Sequence, residues 1–413
     1  AVFGRSGVMN DLGVALGLPT LSIYGLHGVV LAHVFLNMPL AVRMILQGWQ
    51  AIPAERFRLA SALGFGPTEV ARHLEWPMLR AVLPGAALVI FVICLTSFAV
   101  VLTLGGGPAA TTVELAIYQA VRFDFDLGRA ALLALVQFGL CAVVAGLAWV
   151  IVRPTAFGAG LDRLVAPEAP LGWRRAADGG VIVLAVLFLM VPLSAVVLRG
   201  IPGLFDLPQS VLAATGRSVL VASVSTLITV TTALVMVVAV ASRARGGWLI
   251  EAAAVIPLAT SGLVLGTGLF LIVQPFTPPT SLALPVTMLV NTALSLPYVY
   301  RLLLPQARAL EADYGRLGDS LGLQGVARWR WLILPRLARP LGFGAGIAAA
   351  LSMGDLGVIA LFAGESQVTL PLLVQQLMGS YRTEAASAAA LLLVAVSFAM
   401  FWICDWGGRR AAS

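Results

Sequence analysis

One acidic residue of this chain lies inside a long apolar stretch, where a carboxylate is costly. Asp355 stands in the sequence Ser-Met-Gly-Asp-Leu-Gly, within the apolar segment 340–363. An ionisable side chain within a membrane helix generally marks a pathway or pairs with another group. The neighbouring Gly354 and Gly357 predict a loosened helix that could line a cavity. Two interpretations stay open: Asp355 faces the path of a cation, or it caps a helix break or pairs with a neighbouring helix.

Four further polar side chains lie in apolar stretches and are candidates for the lining of the same pathway. They are Ser97, His33, Asn37 and Asn291. For each of them, a hydrogen bond between packed membrane helices is the alternative role.

Residues for catalysis or metal binding are not grouped in the sequence. The three cysteines, Cys94, Cys141 and Cys404, lie in apolar stretches and are typical of packing residues, and the three histidines form no ligand cluster. All 26 basic residues are Arg, so the chain has no lysine for a glycine-rich phosphate loop. The sequence therefore predicts no enzyme activity, no cofactor and no metal site. Its basic residues flank apolar stretches, so no nucleic-acid partner is expected.

The elements that would position these residues are membrane helices. Of the 413 residues, 60% are hydrophobic and 11% are charged, and the mean hydropathy is +0.96, which excludes an ordinary soluble protein. A bilayer core is crossed by roughly 20 apolar residues in a helix. We therefore expect an all-α membrane protein. Nine stretches of this length predict spans at 22–45, 80–104, 129–152, 180–199, 215–241, 248–273, 283–304, 340–363 and 385–404.

The arginines predict the orientation of these spans. On one side of the membrane, the segments between spans and the C-terminal tail hold 20 of the 26 arginines. Because loops rich in basic residues stay in the cytoplasm, this side is predicted to be cytoplasmic. The C-terminus is then cytoplasmic as well.

The chain contains an internal repeat. A shift of 258 residues aligns ten positions without a gap, and six predicted spans separate equivalent helices, so the two halves should have the same orientation. By this pattern we expect nine spans of a twelve-span parent that extends about 80 residues further toward the N-terminus. The matched positions are Pro39/Pro297, Arg43/Arg301, Glu55/Asp313, Arg58/Arg316, Leu63/Leu321, Gly64/Gly322, Arg72/Arg330, Pro77/Pro335, Val100/Val358 and Gly106/Gly364.

The repeat and the spans together predict the organisation of the chain. We expect the end of a first repeat, a linker, a second repeat of six spans and a tail, with one long cytoplasmic loop in each repeat. These parts are 1–152 with the first loop at 46–79, the cytoplasmic linker 153–179, 180–405 with the second loop at 305–339, and the cytoplasmic tail 406–413.

The first loop and the second loop share one pattern. A helical stretch with acidic and arginine residues ends at Gly64 or Gly322, and Pro77 or Pro335 follows thirteen residues later. We expect each glycine to adopt left-handed backbone angles. We expect each proline to end a short helix that lies crosswise below the membrane.

This spacing resembles the signature cytoplasmic loop of binding-protein-dependent ABC importer permeases, which runs Glu-Ala-Ala, three residues, Gly, nine residues, Ile-x-Leu-Pro. The glycine is kept in both copies, and the Leu-Pro end is Leu334-Pro335 in the second copy and Trp76-Pro77 in the first. The Glu-Ala-Ala site is degenerate, with Arg58-Leu59-Ala60 in one copy and Arg316-Leu317-Gly318 in the other. The alternative is an ordinary amphipathic loop at the membrane surface. The residues that the resemblance assigns to ATPase coupling are Glu55, Gly64, Pro67, Glu69, Glu75, Pro77, Asp313, Gly322, Gly325, Arg328 and Pro335.

Within that superfamily the chain is similar to the thiamine transporter permeases. Four segments carry much of the similarity: Tyr24-Gly25-Leu26-His27-Gly28, Leu104-Gly105-Gly106-Gly107-Pro108, Glu114-Leu115-Ala116-Ile117-Tyr118-Gln119-Ala120 and Gly354-Asp355-Leu356-Gly357-Val358. The resemblance implies a type I ABC importer permease fold in a bacterial inner membrane. It also implies two copies of an ATPase subunit, a periplasmic substrate-binding protein and transport of thiamine or its phosphates by alternating access.

Two other functions are weighed against this one. Relatives that import ferric iron or other small solutes share the loops and the twelve-span plan. An ion-coupled secondary transporter with two parallel halves belongs to a different class, and it should have one dominant loop between the halves. The twin loops within the halves favour the ABC permease.

Overall fold

The computed structural model describes residues 10, 14–17, 19, 22–105, 110–151, 172–242, 246–364 and 367–411. Residues 153–171 of the predicted linker 153–179 lie outside the described residues. Gly106 of the repeat does too. The chain divides into two compact units: one holds Ala1–Thr112 and Gly139–Ala195, and the other holds Val113–Phe138 and Val196–Ser413.

The described residues form helices joined by short connections, without a strand among them. The helices up to the predicted linker are α1 (Leu26–Gln50), α2 (Ala54–Ala62), α3 (Pro67–Val70), α4 (Trp76–Leu95), α5 (Phe98–Leu104), α6 (Val113–Arg122) and α7 (Leu127–Ile151). Those after it are α8 (Trp173–Gly203), α9 (Gln209–Ala241), α10 (Gly247–Val255), α11 (Gly262–Val273), α12 (Ala283–Ser320), α13 (Gly325–Arg328), α14 (Leu334–Met353), α15 (Gly357–Phe362), α16 (Leu370–Gly379) and α17 (Thr383–Ala411).

The number of membrane spans agrees with the prediction when one bent pair counts as a single span. Among the described residues, eight helices are long and apolar enough to cross a membrane, and the bent pair raises the number to nine. This confirms the predicted all-α membrane protein.

The predicted span 248–273 corresponds to the bent pair, and it is not one continuous helix. The helical segments Gly247–Ala259 and Gly262–Val273 meet at 100°. Ser261 has extended backbone angles, and its hydroxyl accepts the N–H of Val264 at 3.1 Å, which starts a new helix. Pro257, which cannot donate a backbone hydrogen bond, lies in the 3₁₀ turn just before the bend.

Two other predicted spans, 80–104 and 340–363, are interrupted near their ends. In the first, α4 ends at Leu95 and α5 begins at Phe98; in the second, α14 ends at Met353 and α15 begins at Gly357. Ser97 and Asp355, which the shift of 258 residues superimposes, both lie in these breaks. The expectation of a loosened helix around Asp355 is confirmed.

In the second unit, α9, α10, α12 and α14 share an apolar core, and α17 packs against α14. A Cβ atom added to Gly342 would lie 2.6 Å from the backbone of Gly408, so α14 and α17 touch through their backbones. Small residues permit such close approach between membrane helices. This packing holds the start of α14, and with it the second loop.

Candidate functional site

Both loops end their first helix in the same way. Gly64 has φ +72° and Gly322 has φ +67°, so each glycine adopts the left-handed conformation that was predicted. In each copy the N–H of the next residue donates to the carbonyl five residues earlier, at 3.0 Å in the first loop and 2.9 Å in the second. An added Cβ would meet no atom within 4 Å at either glycine, so the backbone angle alone requires glycine there.

The prediction that Pro77 and Pro335 end the short helices is wrong. The short helix α3 runs through a π-turn, Ala71–Glu75, directly into α4, and α13 runs through Trp329–Ile333 into α14. Each proline is the second residue of the helix that follows. A π-turn pairs each N–H with the carbonyl five residues earlier, so the helix continues past a residue without an N–H.

The elements of the two loops correspond residue for residue. A shift of 258 residues superimposes α3 on α13, the first π-turn on the second, and α4 on α14. Each element begins and ends at equivalent residues. The backbone differs at Gly325, whose φ of +52° is not accessible to its counterpart Pro67. The repeat found in the sequence is therefore also a repeat of local structure in these loops.

The second loop is held by ion pairs around Arg328. Its guanidinium donates to both carboxylate oxygens of Glu311, at 2.9 Å and 2.8 Å, and to Oδ1 of Asp319 at 2.8 Å. The side chains of Arg328 and Glu311 are 22% and 35% exposed, so solvent screens this pair less than a pair on an open surface, whereas Asp319 is 68% exposed. They connect the end of α12 with α13 across the turn at Gly322.

The first loop is held by an indole and other rings. The Trp49 indole Nε1 donates to Oε1 of Glu75 at 3.3 Å, and the Trp49 ring lies 5.7 Å from that of Phe57. The rings of Phe65 and His73 are also 5.7 Å apart. Trp49 thus connects α1 with α2 and with the π-turn, and Phe65 connects the glycine turn with the π-turn.

A cleft opens beside the second loop. Its volume is about 350 Å³, and Glu311, Arg328 and Trp329 line it together with the ends of α9 and α12. The clefts that bind small molecules in proteins have volumes from about 300 Å³ upward. The ion pairs of Arg328 form one wall of this cleft.

The remaining predicted coupling residues have different environments. Glu69 and Asp313 are exposed. Glu55 lies in the first turn of α2, and its carboxylate oxygens are buried without a hydrogen-bond partner.

The structure brings Asn291 into a buried polar cluster that sequence analysis did not assemble. Its amide donates to Oγ of Ser352 at 2.9 Å, and the hydroxyl of Ser225 donates to the same atom at 2.8 Å. These three residues lie on α12, α14 and α9, so the cluster joins three helices. Hydrogen bonding between helices, the alternative role, thus describes the contacts of Asn291.

Asp355 lies next to this cluster. A cavity of about 10 Å³, which is room for about one water molecule, is lined by Asp355 and by the hydroxyls of Ser218, Thr287, Ser352 and Thr369. The Oδ2 atom of Asp355 is buried without a hydrogen-bond partner.

His33 and Asn37 lie together in the first unit. The Asn37 amide donates to the carbonyl of His33 at 2.9 Å and faces the Cys94 sulfur at 3.6 Å, while Nδ1 of His33 lies 2.9 Å from the carbonyl of Val29. Ser97 is the residue just before α5, and its side chain makes no hydrogen bond to the start of that helix. The contacts of Asn37 hold α1 against α4.

One buried acid was missed by sequence analysis. Glu114 is 1% exposed at the start of α6, and Ser261 and Gln137 face its carboxylate. Burial raises the pKa of Glu114 to about 7, and these two facing side chains lower it only in part. The signal in the sequence was the position of Glu114 among apolar residues of a short helix that lies outside every predicted span.

Comparison with known proteins gives matches over nearly the whole chain. The chain is 37% identical over 424 residues to the thiamine transport system permease protein ThiP of Brucella abortus (strain 2308), covering 100% of this chain and 77% of that protein. It is 38% identical to the protein of the same name from Salmonella typhimurium, covering 100% and 78%, and to that from Escherichia coli K12, covering 98% and 77%. No family model matches the chain.

Identities of this size over more than three quarters of each relative establish common descent, and they agree with the resemblance found in the loops and the span motifs. The family inferred from the sequence is therefore confirmed. The chain belongs to the family of thiamine transport system permease proteins.

Proposed function

We propose that this chain forms the membrane pathway for thiamine in an ATP-driven importer. The observation that carries the proposal is the pair of loops, whose turns, short helices and π-turns correspond at a shift of 258 residues. Two equivalent docking elements suit two copies of one ATPase subunit. The names of the relatives supply thiamine as the substrate.

ATP hydrolysis belongs to that separate subunit in this proposal. The chain has no lysine, so it lacks the residue that a glycine-rich phosphate loop uses. Closure of the two ATPase subunits around ATP would push the first loop and the second loop. The cytoplasmic ends of α4 and α14 would move with them, because the helices are continuous from loop to span.

A periplasmic binding protein would deliver thiamine from the opposite side. The distribution of arginines supports this orientation, with both loops and the C-terminus in the cytoplasm. Asp355, Asn291 and Ser97 are the residues that we propose for the pathway, together with His33 and Asn37.

Reconstitution tests the substrate and the energy source. The full-length protein, its ATPase and its binding protein are placed in liposomes, and uptake of radiolabelled thiamine is followed with and without ATP. We expect uptake that requires both ATP and the binding protein. Uptake on an ion gradient without the ATPase would overturn the proposal. Uptake of ferric iron instead of thiamine would identify iron as the substrate.

Cysteine labelling in intact cells tests the orientation. The three native cysteines are replaced by Ala, and single cysteines are placed at three exposed positions: Thr68 and Val326 in the loops, and Phe205, which lies between α8 and α9. A maleimide that cannot cross the inner membrane should label only the cysteine at 205. Labelling at 68 or 326 would show that the loops face the periplasm and would contradict the proposed orientation.

A further inference from the structure

The ion pairs of Arg328 have no counterpart in the first loop. At a shift of 258 residues, Glu311 corresponds to Pro53, Asp319 to Ser61 and Arg328 to Val70. All three charged positions are thus uncharged in the first loop, although the backbone elements around Val70 and Arg328 are the same. Near Arg328 the two copies thus share their helical elements and differ in side-chain charge.

The three charges join two elements that must keep a fixed angle. Glu311 and Asp319 lie on the last turns of α12, before the glycine turn, and Arg328 is the last residue of α13, after it. Glu311 accepts two hydrogen bonds from one guanidinium nitrogen, and Asp319 accepts one from the other. Binding from two sides leaves the guanidinium little freedom to rotate, so α13 is held to α12 at two points.

We propose that Arg328 is a positioning residue that holds the second loop in its docking geometry, so that the two ATPase subunits are held by loops of unequal stiffness. The proposal rests on the proposed function, because it assumes that both loops bind an ATPase subunit. Val326, 81% exposed on α13, belongs to the face that Arg328 would orient. In the first loop, the contacts of Trp49 and Phe65 take this role, and they join no pair of opposite charges, so salt should weaken them less.

Photo-crosslinking in the assembled complex measures the two loops separately. With the native cysteines replaced by Ala, a single cysteine at Val326 or at its exposed counterpart Thr68 carries a benzophenone maleimide. We expect Arg328→Gln to lower cross-linking to the ATPase at 326 by about fivefold, the factor that a partly exposed ion pair supplies, and to leave cross-linking at 68 unchanged.

A neighbouring arginine provides the matched control. Arg330 lies in the π-turn two residues further on, and its guanidinium stacks on the ring of Trp331 without an ion pair at a described residue. Arg330→Gln removes the same charge and should leave both cross-links near their wild-type yields. The double variant Glu311→Gln with Arg328→Gln should be no worse than Arg328→Gln alone, since the two residues act as one pair.

Salt gives a readout that a merely structural residue would not change. Between about 0.1 M and about 1 M NaCl, wild-type cross-linking at 326 should fall more than cross-linking at 68, and Arg328→Gln should abolish that difference. Thermal unfolding in detergent shows that each variant is folded.

The outcomes separate the two proposals. Equal losses at 326 and 68 in Arg328→Gln, no loss at either, or a loss in Arg330→Gln as large as in Arg328→Gln would overturn the positioning role. Absence of any cross-link at both positions in the wild-type complex would overturn the docking of the loops, and the positioning role with it.

Discussion

Where the first loop has Pro53, the second loop has Glu311, and this exchange changes the helix that leads into the glycine turn. Pro53 separates α1 from α2, whereas the second copy runs without a break through the 38 residues of α12. The first loop is then held by an indole hydrogen bond and ring contacts, and the second by the ion pairs of Arg328. The comparison teaches that a duplicated element keeps its glycine turn, short helix and π-turn, while the preceding helix and the stabilising side chains are free to change.

The largest effect, on stability, is expected from introducing into the second loop the helix break that Pro53 makes in the first. Glu311→Pro removes a hydrogen bond inside α12 and the carboxylate that binds Arg328, so it should destabilise the helix by about 3 kcal/mol or more. Thermal unfolding of the purified permease measures the loss, and the reverse change, Pro53→Glu, is the matched control with a small effect. Equal melting temperatures for Glu311→Pro and the wild type would show that helix continuity in α12 is unimportant.

The next effect tests a feature that the copies share. Gly64→Val and Gly322→Val force a β-branched residue into left-handed angles, at a cost of about 2 kcal/mol each. Both variants should lose ATPase co-purification to a similar degree while the protein still inserts in the membrane. Asn at the same positions tolerates these angles and should cause a smaller loss. Normal co-purification and transport in both valine variants would count against the docking role of the turns.

A third prediction compares the two helix breaks. Asp355→Asn removes the charge at the break after α14, and Ser97→Ala changes the equivalent position after α4. If Asp355 faces the path of the cation, thiamine uptake should fall by about tenfold, the size of one hydrogen bond to a charged group, with assembly intact. Ser97→Ala should change uptake little. Unchanged uptake kinetics in Asp355→Asn would assign the carboxylate to packing.

The smallest effect is expected in the first loop. Trp49→Phe keeps a ring near Phe57 but removes the hydrogen bond to Glu75, which should cost about 1 kcal/mol. Cross-linking at 68 should fall slightly and cross-linking at 326 should not, because the equivalents of Trp49 and Glu75 in the second loop are the apolar Ala307 and Ile333. An equal fall at 326 would remove the distinction between the loops.

Much of the architecture could be predicted because it depends on local sequence. Long apolar stretches require helices in lipid, and the position of Gly64 and Gly322 after a helical stretch requires left-handed angles. The bend at Ser261 was not predicted because the residues on both sides of it are apolar, so hydropathy continues across it. The π-turns were missed because a proline normally signals the end of a helix.

The contacts of the candidate site depend on tertiary structure and were less accessible. Arg328 meets Asp319, nine residues away, and Glu311, seventeen residues away, and only the glycine turn brings them together. Asn291 and Ser352 were each visible as polar residues in apolar stretches, but their pairing requires the packing of α12 on α14. Glu114 was not predicted as a buried acid because the helices that bury it are far away in the sequence.

The π-turns also bear on the history of the chain. A residue inserted into only one copy after the duplication would change the distance between equivalent residues on its far side. The shift is 258 residues both before the π-turns, at Gly64 and Gly322, and after them, at Pro77 and Pro335. The most economical account is that a single ancestral half already contained this π-turn, and that the fused chain inherited it twice. The charged residues around Arg328 then mark where the two descendants diverged.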